Sequence, residues 1–159
     1  MRVFDASSLI HAWDNYPESQ FPALWEWIAR QFASDYFVLP SIAYDEISHK
    51  APDCVLWLRA RAVTPITVDN LILQEALRIM ALLRIVDGKY GRGVDENDIL
   101  IIATAKVKGM HLVSEEARQS SAPLSPANMK IPAVCALPAV TVSCLNFVEL
   151  FRESGVIFR

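Results

Sequence analysis

The sequence predicts an α/β fold: a three-layer α/β/α sandwich around a central, mostly parallel sheet. Three observations point there. Short apolar runs at 2–4, 36–39, 110–114 and 140–143 alternate with longer segments of helical spacing. The runs are apolar throughout rather than at every second residue, as expected of strands covered by helices on both faces. The chain's 159 residues, 53% of them apolar, suffice for one core, and no repeat or composition break divides them. A single domain over 1–159 is therefore expected.

Taken in order, residues 2–4 form a first buried strand with Asp5 at its C-terminal end. Ser7 and Ser8 are placed to cap a helical turn through Leu9, His11 and Trp13. Leu24, Trp27, Ile28 and Phe32 recur at helical spacing over 21–32, with Pro22 suited to the first turn. A second strand, 36–39, stops at Pro40, and Ser41 is expected to cap a helix carrying Glu46. Residues 54–62 read as helical and 63–68 as extended, interrupted by Pro65. The spacing predicts an amphipathic helix over 70–86, with Leu73, Leu77 and Met80 on its apolar face. A glycine-rich basic loop, Asp87 to Gly93, comes next. A helix over 95–108 follows, closed by Gly109 at its C-terminus. The remainder predicts a strand at 110–114, a polar loop over 120–128, a short helix from Ile131-Pro132, a last strand at 140–143 and a terminal helix over 147–153 ended by Gly155.

The formal net charge is −3. A polyanion would therefore be held by a local basic patch or through bound metal, not by the whole molecule's field. Cys54, Cys135 and Cys144 are an odd set without CxxC spacing, so neither a disulfide framework nor a zinc site is expected and a reducing cytoplasm fits. The first residues show no charged-then-apolar leader pattern. The longest uncharged apolar run falls far below the ~20 residues of a membrane helix. His11, His49 and His111 have no ligand spacing. Trp13, Trp25, Trp27 and Trp57 crowd the first part of the chain, as core residues or as anchors for a second copy or another partner.

Four acidic residues stand at the edges of apolar elements: Asp5 after the first strand, Glu46 in the helix after the second, Asp98 opening the 95–108 helix, and Glu115 or Glu116 after the third strand. Each alone has an ordinary explanation as a cap, a helix-surface charge or a turn. In a parallel sheet, however, ligands bind beyond the carboxyl ends of the strands, where Asp5 and the Glu115-Glu116 pair lie. Carboxylates gathered there repel one another, and a hard divalent cation with oxygen ligands is the natural compensation. In the glycine-rich loop, Lys89 and Arg92 could hold phosphates and Tyr90 could stack a base; an ordinary surface turn explains the loop equally well.

With Asp5-Ala6-Ser7-Ser8-Leu9-Ile10 first, Glu46 next, then Asn97-Asp98-Ile99 and Val113-Ser114-Glu115-Glu116, the chain resembles the PIN-domain nucleases, particularly the bacterial VapC-like toxins. It is most similar to a little-characterised PIN-like subfamily marked by Lys130-Ile131-Pro132-Ala133-Val134-Cys135. The resemblance covers nearly the whole chain. It implies that Asp5, Glu46, Asp98 and Glu116 coordinate Mg²⁺ or Mn²⁺ and carry catalysis, and that Ser7 and Ser114 support the first and last acids. The family's fourth acid is usually Asp; here the choice lies between Glu115 and Glu116, and the hydroxyl-x-acid spacing favours Glu116. The implied activity is endoribonuclease cleavage of RNA by a toxin held in check by a cognate antitoxin, with a homodimer as a further possibility. A PIN-fold binding module with lost or very narrow catalysis is the alternative. An aspartyl-phosphate phosphatase ranks below both, because it would want an acid where Ser7 stands.

Overall fold

A computed structural model describes all residues, 1–159. Four short strands, β1 (Arg2–Phe4), β2 (Phe37–Val38), β3 (His111–Val113) and β4 (Cys144–Leu145), form one sheet in the order β2-β1-β3-β4. Every pairing is parallel: Val3 lies opposite Val38 on one side and Leu112 on the other, and Val113 lies opposite Leu145. Eight helices surround it: α1 (Ala6–Asn15), α2 (Pro22–Ala33), α3 (Ser41–Lys50), α4 (Pro52–Ala60), α5 (Asn70–Leu82), α6 (Glu96–Lys108), α7 (Ile131–Cys135) and α8 (Phe147–Ser154). The predicted three-layer α/β/α architecture with a parallel sheet is the one observed, and here the sheet is parallel throughout.

The core explains this arrangement. Val3, Phe4, Leu112 and Val113 are fully buried, so the central strands have no solvent face. Phe4 stacks on Phe37 at 4.7 Å between ring centroids. Trp25 packs edge-on to Trp57 at 4.9 Å and to Trp13 at 5.2 Å. The tryptophans thus belong to the interior: Trp25, Trp27 and Trp57 are buried and Trp13 packs against the same cluster. Helix α6 is apolar almost all round, with Ile99, Ile101, Ile102, Ala103 and Ala105 buried, as suits a helix lying between α5 and strands β1 and β3.

Several local expectations are corrected. Ser7 and Ser8 lie inside α1 rather than capping it; Asp5 takes the N-cap position, with no side-chain cap bond. Ser41 likewise starts α3 as its first helical residue, after Pro40. Residues 63–68 make no strand, only a bridge between Pro40 and Ile66, with the Ile66 amide donating to Leu39 at 2.8 Å. Helix α5 ends at Leu82 because Arg84 adopts a positive φ of 55°. Its buried face is Ile72, Ala76 and Ile79, whereas Leu73 and Leu77 are exposed. The last strand begins at Cys144 instead of 140, since Thr141 has a φ of 54° and the Val142 amide donates to Cys135 at 3.0 Å. Gly109 and Gly155 end α6 and α8 in the left-handed conformation, as predicted.

Candidate active site

The chain leaves β1 to form β2 on one side, and β3 is added on the other, so the strand order reverses between β1 and β3. Loops diverge at such a reversal and leave a crevice at the strands' carboxyl ends. Asp5 emerges from β1 there, its amide donating to the Val113 carbonyl at 2.9 Å. The crevice is a cleft of about 370 Å³ lined by Asp5, Ser7, Glu46, Asp98 and Glu116, together with Ile10, His11, Asp14, Asn15 and Lys50.

Asp5 is the deepest acid, 3% exposed. Its Oδ2 accepts from the Ser7 hydroxyl and, at 3.0 Å, from the Ser114 hydroxyl. The same hydroxyls accept in turn: Ser7 Oγ from the Glu115 amide at 3.0 Å, and Ser114 Oγ from the Glu116 amide at 3.2 Å. Two serines therefore tie the end of β1 to the turn after β3. Burial raises the Asp5 carboxyl above its ordinary value, opposed by the serine bonds and reinforced by the charges of Glu46 and Glu116.

Asp98 is set by the start of α6. Asp95 and Asp98 form a reciprocal capping box, each carboxylate accepting from the other's amide at 2.9 Å. One Asp98 oxygen is thereby directed backwards while the residue still lines the cleft. Burial pushes its carboxyl up to about 7, the Asp95 amide bond acts against this, and the charges of Asp95, Asp5 and Glu116 add to it. Glu46 projects from α3 and pairs with Lys50 one turn on, at 2.5 Å. That bond, and behind it the charges of Glu46, Asp5 and Asp95, raise the Lys50 ammonium above its ordinary value against the pull of burial.

The two glutamates after β3 part company. Glu115 accepts from the Phe147 amide at 2.5 Å, at the start of α8. Glu116 faces the cleft, 3.8 Å from Lys130. The cleft residue is thus the one that the hydroxyl-x-acid spacing favours. Lys50 went unnoticed in the sequence, although its four-residue spacing from Glu46 is a helix-pair signal. Asp14, Asn15 and His11 were equally unmarked as cleft residues; they reach it because α1 leaves directly from Asp5.

The cleft's lining, five carboxylates with a single imidazole and no thiol, suits a hard cation such as Mg²⁺ or Mn²⁺. The carboxyls of Asp5 and Asp98 are raised first by burial and then by the charges of the neighbouring acids. No three His, Cys, Asp or Glu side chains already converge as a ready-made ligand cluster. Glu46, Asp98 and Glu116 each keep an oxygen near a partner within the chain.

The basic loop is built differently from the rest of this surface. Lys89 and Arg92 are exposed without an acidic partner, and Tyr90 packs against the core near Asp95 and Glu96. Gly91 and Gly93 press on the 127–129 segment: a Cβ on Gly93 would stand 2.0 Å from the Met129 carbonyl oxygen. The Val94 amide also donates to that oxygen, at 2.9 Å. The glycines serve close backbone approach, and none of these loop residues lines the acidic cleft.

The chain belongs to a protein family: residues 3–158 match the one described as "Domain of unknown function (DUF4411)". No curated protein matches the sequence. No helix is long and apolar enough to cross a membrane.

Proposed function

We propose that this protein is a metal-dependent endoribonuclease of PIN type, acting in the cytoplasm as the toxin of a toxin–antitoxin pair. The observation that carries the nuclease reading is that Asp5, Glu46, Asp98 and Glu116 all line one cleft at the reversal point of the sheet. The toxin role, the cognate antitoxin and a homodimer rest on the resemblance to VapC-like proteins. Lys89, Tyr90 and Arg92 are proposed contacts for the RNA backbone and a base outside the cleft.

Asp5 and Asp98 are the proposed direct ligands of Mg²⁺ or Mn²⁺, with Glu46 and Glu116 ligating directly or through water. Such a cation, when bound, lowers the pKa of water and stabilises charge developing on a phosphodiester. Ser7 and Ser114 orient the Asp5 carboxylate by donating to one oxygen, which leaves the other for the cleft. Lys50 holds one Glu46 oxygen and leaves the other for the cleft, and its ammonium lines the cleft as a counter-charge for a phosphate.

A second reading, a PIN-fold binding module without turnover, draws on those same internal partners: a cleft whose acids are already partly neutralised has less need of metal. One assay separates the two. The purified protein is incubated with mixed structured and unstructured RNA in Mg²⁺ or Mn²⁺, beside EDTA, Asp5→Asn and Asp98→Asn controls. Cleavage that needs both metal and intact acids is the expected result. Metal binding by calorimetry without cleavage would favour the binding module, and cleavage that survives Asp5→Asn would remove Asp5 from the machinery.

A further inference from the structure

We infer that one outer flank of α5 pairs two copies of this chain, antiparallel about a two-fold axis at Leu77. The surface rests on the homodimer proposed above and gives it a place in the fold. It lies apart from the acidic cleft, to which α5 contributes no lining residue.

Helix α5 packs on α6 through Ile72, Ala76 and Ile79, all buried. A surface helix ordinarily turns polar residues outward. This one instead leaves Leu71, Leu73, Leu77 and Leu82 between 38% and 62% exposed. At about 100° per residue they fall on two flanks. Leu71 and Leu82 share theirs with Glu75 and Arg78, which pair with each other, and Arg78 also donates to the Ala139 carbonyl oxygen at 2.7 Å. A charge pair and a neighbouring loop therefore interrupt that flank. The other, Leu73, Leu77 and Ala81 with Met80 at its edge, carries no charge.

Along this flank Asn70, Leu73, Leu77, Met80 and Arg84 recur at alternating steps of three and four, the pattern of helices packed side by side. Apolar residues hold its middle and polar ones its ends. A two-fold interface joins the same patch of both copies, so the patch must complement itself. Set antiparallel about Leu77, that residue meets its counterpart, Leu73 faces Ala81, and Asp69 and Asn70 approach Arg84.

The charges at the two ends select this arrangement. Asp69 caps α5 with Oδ1, which accepts from the Ile72 amide at 2.9 Å. Its Oδ2 lies 3.9 Å from Lys108, beyond hydrogen-bond reach. Arg84, just past the Leu83 cap, is exposed and has no acidic partner within the chain. A parallel pair would set Asp69 against Asp69 and Arg84 against Arg84, whereas the antiparallel pair sets each against its opposite and also opposes the helix dipoles. A different protein on this face would not require such reciprocity between its ends. One helix flank covers less than the about 800 Å² per partner of a standard interface, so the dimer is expected to dissociate in the micromolar range.

Sedimentation velocity of the full chain from about 1 to about 200 µM reads the association. A monomer–dimer equilibrium is expected. Leu77→Glu, which sets two carboxylates together on the axis, should weaken it at least about ten-fold, and Leu71→Glu on the interrupted flank should leave it unchanged. Both leucines are exposed, so circular dichroism should show both variants folded. Arg84→Glu, brought against Asp69, should also weaken the dimer, most at low salt. A dimer that keeps its affinity in Leu77→Glu, or loses it equally in Leu71→Glu, would overturn this face and leave the homodimer to another. A chain monomeric throughout would overturn both. The nuclease reading is untouched by either outcome, since RNA cleavage decides it.

Discussion

Asp98 carries a cost that is legible residue by residue. Its carboxyl, ordinarily near 3.8, is pushed up to about 7, chiefly by burial, so between these values the folded protein holds a proton that the unfolded chain has lost. Stability contributed by protonated Asp98 is fully present below about 4 and is lost as pH rises through about 7. Asp98→Asn should therefore flatten this decline and stabilise the metal-free protein at pH 8 by about 1 kcal/mol; the side chain is only half-buried, which keeps the gain below the full conversion of the shift. Thermal melts at pH 5 and pH 8 check it, and an unchanged pH profile in the variant would refute it. The sequence marked Asp98 and Asp5 because both sit beside apolar runs. Lys50 escaped notice because a lysine on a helix surface is usually solvated, and only the folded cleft turns it toward carboxylates.

At the scale of elements, the loop before α6 makes the clearest case. Gly93 meets the Met129 carbonyl oxygen at 2.0 Å from any added Cβ, and the atom met is backbone, which cannot swing aside as a side chain would. Gly93→Ala should cost about 1–3 kcal/mol or more, measured by urea denaturation, whereas Gly88→Ala meets no contact and is limited to its positive φ of 67°. A Gly93→Ala protein as stable as the parent would mean that the 127–129 segment yields freely. The sequence identified this stretch as glycine-rich but could not reveal that it packs on a segment more than thirty positions later. Helix α5 teaches the same lesson. Both Leu73/Leu77 and Ile72/Ile79 recur at helical spacing, and periodicity alone could not choose the face that α6 covers. Strand positions were legible as apolar runs, but the start of the last strand depended on Thr141 and the end of α5 on Arg84, positive-φ residues which no pattern announces.

For the whole molecule, the parallel order was readable because strands and helices alternate; the reversal between β1 and β3, which makes the crevice, belongs to the topology alone. A fold that gathers repelling acids at one place should respond as a unit when they are neutralised. Mn²⁺ at about a hundred times its dissociation constant should raise the unfolding free energy by about 2.7 kcal/mol, read as a higher melting temperature, and Asp5→Asn should abolish the rise. An equal rise in both proteins would place the cation elsewhere. The sheet itself has a further consequence. Its outer strands, β2 and β4, are only two residues long, and beyond β2 the chain reaches Pro40, already bridged by Ile66. Outer strands this brief give an incoming chain almost no row of free amides and carbonyls to copy, so a sequence with 53% apolar residues is shielded from edge-to-edge aggregation.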